Sequence, residues 1–260
     1  MQKHLFIAAA FVLSVLSGCS KLAGDPVTKE FSIDGSYTEL QVHDAMAVTV
    51  SDAVDKITIT AGEGIMRKII VQKNGNELTI RLKRFTSNYG SQIKVILPYN
   101  PDLKDVDLSG ASNFRTGFTL KGRKVEVDCS GASGFYGDIE ADEIDLDLSG
   151  ASTIIGKVSA TDLDLELSGA STATLEGPTG KLDLQLSGAS TLIQKVAGDQ
   201  YALNCEQCKG SLSGASTAYL HCDGSIRVAL SGSSVLHYTG NASTSACSTS
   251  GSSSVVHDVK

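Results

Sequence analysis

The chain has 260 residues, enough for one long domain or two small ones. Aromatics make up 5%, Trp is absent and there are 26 glycines, which argues against a conventional ring-filled core and fits a repetitive β architecture. The net charge of −7 disfavours a nucleic-acid partner, because phosphate binding needs clustered Lys and Arg.

Lys3 and His4 precede the apolar run Leu5 to Leu16, which is too short for a typical membrane span and has the shape of a secretory signal. The run ends in Leu16-Ser17-Gly18-Cys19, which resembles the lipobox of bacterial lipoproteins. The resemblance implies that residues 1–18 are a cleaved signal peptide and that Cys19 is diacylated and becomes the new N-terminus. Ser20 follows where an Asp would signal inner-membrane retention, so the same resemblance implies an outer-membrane lipoprotein of a Gram-negative envelope. No acidic run for surface export lies between Ser20 and Pro26, which leaves a periplasmic and a surface orientation both open. Acyl chains contribute about 0.8 kcal/mol per buried CH₂, so such an anchor would hold the chain on a membrane. Residues 19–29 read as a tether.

Residues 30–103 are β-like without an exact repeat, and are expected to form irregular coils or a cap. Val48 to Val50, Ile57 to Thr60, Ile69 to Val71 and Leu78 to Leu82 alternate as strands do. Asn74-Gly75 marks a hairpin, Glu63 to Lys68 one helical turn, and Ile93 to Leu97 a strand leading through Pro98 and Pro101 into regular repeats.

From residue 104 to 257 a unit recurs. Ser-Gly-Ala-Ser or a close variant follows Leu108, Cys129, Leu148, Leu167, Leu186, Leu212, Leu230 and Thr249, at steps of 21, 19, 19, 19, 26, 18 and 19 residues. Acidic and aliphatic residues alternate before each unit, as in Leu163-Asp-Leu-Glu-Leu167. A period-2 pattern recurring every 19 or so residues predicts an all-β fold: a single right-handed parallel β-helix, its strands stacked about 4.8 Å apart. One coil buries too little to stand alone, so neighbouring coils must support one another. The corner is read as structural, with small side chains filling a narrow bend and each Ser bonding to the serine one coil away. A nucleophile needs a base and an oxyanion hole around one residue, and eight equivalent serines offer no such asymmetry.

These Leu-Ser-Gly-Ala-Ser units, with Leu40 to Val50 and Leu78 to Leu82 upstream, resemble the auto-transporter adhesin "head GIN" domain family over about residues 30 to 255. The resemblance implies a β-helix on a lipoprotein and carries over no catalytic residue.

Cys129 and Cys247 fall on inward positions and read as small core residues. Cys205, Cys208 and Cys222 flank the long step, where an exported protein could hold one disulfide. Zinc with His221 ranks second, and redox catalysis at Cys205-Glu-Gln-Cys208 third. Outward positions carry two acidic columns, Asp105, Glu126, Asp145, Asp164, Asp183 and Asp107, Asp128, Asp147, Glu166, with a change of sign at Lys209 and Arg227. A solvated, aggregation-resistant face is the plain reading. Calcium held by Asp145, Asp147, Asp164 and Glu166 is the sharper one, although the Gly-Gly-x-Gly-x-Asp calcium pattern is absent. Thr153, Thr172, Thr191 and Thr217 form a rank that could stack on a sugar. Phe114, Phe118, Phe135 and Tyr136 are expected to fill a wider end of the core. Together these features predict a non-catalytic envelope protein displaying a face to a glycan or protein partner. A polysaccharide-active enzyme or a purely structural envelope protein is the alternative. Against an enzyme, only the 193–211 insertion interrupts the coils, and its charges are Lys195, Asp199, Glu206 and Lys209.

Overall fold

A computed structural model describes residues 24–84, 86, 92–193, 196–197 and 200–258. The signal segment, Cys19, the tether up to residue 23, Lys195 and Asp199 lie outside the described residues. The described chain is all-β, with one short helix at Glu63–Met66, and twenty of its strands join one sheet.

Leucine alternation decides the register. Leu120–Cys129 pairs in parallel with Ile139–Leu148, which pairs with Thr153–Leu167, then Thr172–Leu186, Leu203–Leu212 and Thr217–Leu230. Each strand meets its equivalent one period later, so Leu148 lies over Leu167, Leu186, Leu212 and Leu230 in one buried column. A slip of one residue would turn every leucine to water and every carboxylate inward, so the pairing is strongly specified. A second inward column runs Phe114, Phe135, Ile154, Ala173, Leu192, Ala218, Leu236 and Val255. Its wide end holds the stacked Phe114 and Phe135 rings, 5.5 Å apart. Phe118 and Tyr136 are not in that core: Phe118 packs against Tyr99 at the surface, and Tyr136 lies under Arg115.

The corners are built differently from the sequence expectation. The second Ser of the first seven units is buried, whereas the Ala, where present, is exposed. Most of these hydroxyls bond within their own corner, as Ser152 Oγ donates to the Ser149 carbonyl at 2.7 Å and Ser171 Oγ to Ser168 at 2.6 Å, whereas Ser190 Oγ donates to the Leu167 carbonyl of the repeat before at 3.1 Å. Coils are joined at the corner by main chain, with Ala151 N–H donating to the Gly131 carbonyl at 2.7 Å and Thr153 N–H to Ser133 at 2.9 Å. The side chain shapes the turn and the backbone carries the ladder.

The N-terminal third joins the same sheet, but its spatial order is not its chain order. Glu39–Val42 pairs in parallel with Asp105–Leu108 on one side and Glu77–Leu82 on the other. Met46–Ser51 likewise lies between Asn113–Arg115 and Ile93–Pro98. The strands Glu77–Leu82 and Ile93–Pro98 therefore lie on the far side of Glu39–Val42 and Met46–Ser51 from Asp105–Leu108 and Asn113–Arg115, where the regular stack begins. Antiparallel strands close the end: Pro26–Phe31 on Ile57–Gly62, and Ile69–Asn74 on Glu77–Leu82 around Gly75 (φ 60°). Such pairing occupies edges that would otherwise template another chain.

The long step between Leu186 and Leu212 does not protrude as a whole. Leu203–Leu212 is a regular strand of the stack, and Tyr201, Ala202 and Leu203 are buried.

Candidate functional site

Alternation that buries the leucines places the intervening residues on two outward faces, one acidic and one of threonine and apolar side chains. On the acidic face Glu39, Asp105, Glu126, Asp145, Asp164 and Asp183 stand in register, followed by Lys209 and Arg227. Asp107, Asp128, Asp147 and Glu166 form the neighbouring column. The expected juxtapositions are present, Asp145 beside Asp164 and Asp147 beside Glu166.

Cations are already spaced along this face. Lys124 Nζ lies 2.5 Å from Glu126, 2.6 Å from Asp145 and 3.4 Å from Glu143, and Lys209 Nζ lies 2.7 Å from Asp183. Four carboxyls of the ladder hold their protons more tightly than usual. Asp105 is pushed up to about 6, first by burial and then by Glu126, Asp128, Glu39 and Asp107. Asp128, Asp164 and Glu166 are raised for the same two reasons, in the same order. Asp164 also has a buried Oδ1 with no hydrogen-bond partner. Among the described residues no group of three His, Cys, Asp or Glu side chains is placed to hold one metal ion. The face is a dense negative ladder, relieved by lysines.

On the other face Thr153, Thr172, Thr191 and Thr217 form the expected rank, which ends at Val235. The rank is two residues wide, because a second column runs beside it. Arg115, Tyr136, Ile155 and Thr174 stand in register. Ile193 continues beside Thr174, its N–H bonded to the Ala173 carbonyl at 2.7 Å, and Tyr219 and His237 follow. Ile155 and Ile193 are 43% and 40% exposed, two of the three large hydrophobics left in water among the described residues. Sequence reading missed this column because its side chains change from coil to coil. The signal was positional: each lies two residues after the rank position.

The column is anchored at both ends. At one end the Arg115 guanidinium carbon lies 3.6 Å above the Tyr136 ring centroid. A shallow hollow of about 600 Å³ opens there, lined in part by Thr49, Arg115, Tyr136, Asp138, Ile155 and Glu176. At the other end the His237 ring stacks on Tyr219 with centroids 4.7 Å apart, and Tyr201 meets Tyr219 edge-on. Asp258 accepts a hydrogen bond from the Tyr201 hydroxyl and lies 3.0 Å from His237 Nδ1, tying the insertion to the last coil. An exposed apolar column beside a row of hydroxyls can cover the apolar face of a flat ligand and bond its polar rim.

The five described cysteines carry free thiols, and Cys247, expected inward, is only half-buried. Cys129 is buried among leucines, and burial raises its thiol to about 12. Cys205 and Cys222 stand opposite one another, while Cys208 lies opposite Ile226. His221 turns its ring nitrogens to Thr239 at 3.0 Å and Asp223 at 3.1 Å.

Several solved structures share this fold. An adhesin (so described, putatively) from Parabacteroides merdae ATCC 43184 aligns with a TM-score of 0.80 at 18% identity, covering 91% of this chain and 97% of its own. A protein from Parabacteroides distasonis ATCC 8503, described as a putative lipid binding protein, aligns at 0.77 and 18%, covering 91% and 98%. A putative adhesin from the same organism aligns at 0.72 and 17%, covering 90% and 95%. At these identities the likeness shows the fold. No curated protein matches the sequence. The family model described as "putative auto-transporter adhesin, head GIN domain" matches residues 36–242, most of the chain, and the protein belongs to that family.

Proposed function

We propose that the protein is a non-catalytic lipoprotein of the cell envelope, anchored through Cys19 in the outer membrane, whose right-handed β-helix presents the threonine and apolar face to a glycan. The observation that carries this reading is the outward column of half-buried Tyr136, Thr174 and Tyr219 and exposed Ile155 and Ile193 beside Thr153, Thr172, Thr191 and Thr217. Sugar rings carry apolar C–H faces and polar edges, and this face offers a matching surface for each.

Parallel pairing one period apart supports the helical winding, and the strong preference of parallel crossovers for one hand supports right-handedness. The repeated corner serines spend their hydroxyls on backbone carbonyls, which supports a structural rather than a nucleophilic role. The lipobox supports membrane attachment, and the family description supports an envelope or surface setting.

The reading is tested by screening the purified chain on an array of bacterial and host glycans, alongside a Tyr136→Ala/Ile155→Ser variant. Retention of a defined glycan class by the native chain, weakened at least tenfold in the variant, is expected. Binding of none of the glycans, or equal binding by both chains, overturns it.

A further inference from the structure

Cys205 and Cys222 occupy directly opposed positions on the parallel pair Leu203–Leu212 and Thr217–Leu230. Both side chains point into the core, at 5% and 0% exposure. Cys222 Sγ lies 3.5 Å from the carbonyl of Glu206, the residue next to Cys205. Opposed residues of adjacent strands are about 4.8 Å apart, and a disulfide spans Cα separations of about 4.4–6.8 Å.

The other pairings fit worse. Cys205 and Cys208 lie three residues apart on one strand, about 10 Å at a rise of ~3.3 Å per residue, beyond the reach of a bridge. The register irregularity opposite Cys205 and Gln207 lies on the partner strand, where one extra residue falls between Cys222 and Ser225. Cys208 has Leu182 and Ile226 as its facing neighbours. Cys129 sits on the opposite side of the insertion, between Leu108 and Leu148.

We propose that Cys205 and Cys222 close into a disulfide that clamps two successive coils where the insertion breaks the 19-residue step. The Cys222 thiolate attacks one sulfur of an external small-molecule disulfide, forming a mixed disulfide and releasing one thiolate. Cys205 then gives up its proton and attacks the Cys222 sulfur, and the second external thiolate leaves. The chain loses two electrons and two protons, and the external disulfide departs as two thiols. Burial of both sulfurs places this exchange before the coils close, during folding.

The clamp does not depend on what the threonine face binds. An exported location would provide the oxidant, and the chemistry is tested without assuming that location. The full chain is unfolded with reductant, refolded in a cystine–cysteine buffer, alkylated and mapped by mass spectrometry. Cleavage after Glu206 and Lys209 separates Cys205, Cys208 and Cys222 onto different peptides. A Cys205–Cys222 crosslink is expected, with Cys129, Cys208 and Cys247 alkylated. Reduction should then lower the melting temperature by roughly 5–10 °C. Cys208→Ser should leave the crosslink in place. Alkylation of both Cys205 and Cys222, or a bridge to Cys208, overturns the assignment, and neither readout needs a variant to fold.

Discussion

Gly150 shows what a single residue does in this wall. Its φ of 73° lies in the left-handed region, and a Cβ there would sit 2.5 Å from the Gly131 carbonyl oxygen of the coil before. Gly131, Gly169, Gly188, Gly214 and Gly232 repeat both conditions, each against the glycine one coil earlier. Gly150→Ala should destabilise the fold by roughly 1–3 kcal/mol from backbone strain alone, and more if the coils must part. Ala151→Ser, on an exposed neighbour, should stay within about 0.5 kcal/mol. Denaturant unfolding of the two variants checks this, and equal stability would refute the reading of the corner. The Gly requirement was legible, since the motif recurs. The equivalent corner His43-Asp44-Ala45-Met46 was not, because no residue of the motif survives there except Ala. Asp44 takes the glycine position at φ 68°, which Asp tolerates better than most residues, and its carboxylate accepts the Leu82 N–H at 2.8 Å. Chemistry compatible with the conformation replaced the glycine, and only the pairing of Val42 with Leu108 reveals it.

The acidic ladder sets a property of the strands as a group. Asp105, Asp128, Asp164 and Glu166 all hold their protons more tightly in the folded chain than in the unfolded one. A raised carboxyl makes the folded state bind more protons than the unfolded state between the two values. Stability from this source is therefore full below the ordinary Asp value of 3.8 and is lost as pH rises through about 6 for Asp105. The melting temperature should fall between pH 4.5 and pH 7.5, by less in Asp105→Asn and by less in high salt. A profile flat over that range, or steeper in the Asn variant, would count against the ladder. The ladder itself was legible, because alternation fixes which face each residue takes and a 19-residue period fixes its neighbour. Its neutralisation by Lys124 was not: that lysine takes an outward position two residues before Glu126 and in register with Glu143, and only the folded side chain shows that it reaches Glu126, Glu143 and Asp145 together. The second column of the threonine face was also hidden, since a mixed set of Tyr, Ile and Thr has no sequence signature until register lines it up.

At the scale of the molecule, sequence repeats pair in parallel with their neighbours on both sides to build one large sheet, and antiparallel strands join it in the N-terminal third. Their crossing from residue 98 back to 105 could not be read from sequence, because local alternation carries no information about which earlier strand a later one will flank. Among the described residues no helix is long and apolar enough to cross a membrane. Attachment in the proposed reading rests on Cys19, so Cys19→Ser should move the protein from the membrane fraction to the soluble one and abolish palmitate labelling. An unchanged distribution would refute the anchor. Titration calorimetry decides whether the threonine and apolar face is the binding surface. A glycan selected on the array is titrated into the native chain, the Tyr136→Ala/Ile155→Ser variant and an Asp147→Asn variant of the acidic face. At least tenfold weaker binding is expected for the first variant and native affinity for the second. Loss of binding in Asp147→Asn with native affinity in the Tyr136 and Ile155 variant would contradict it and move the site to the carboxylates.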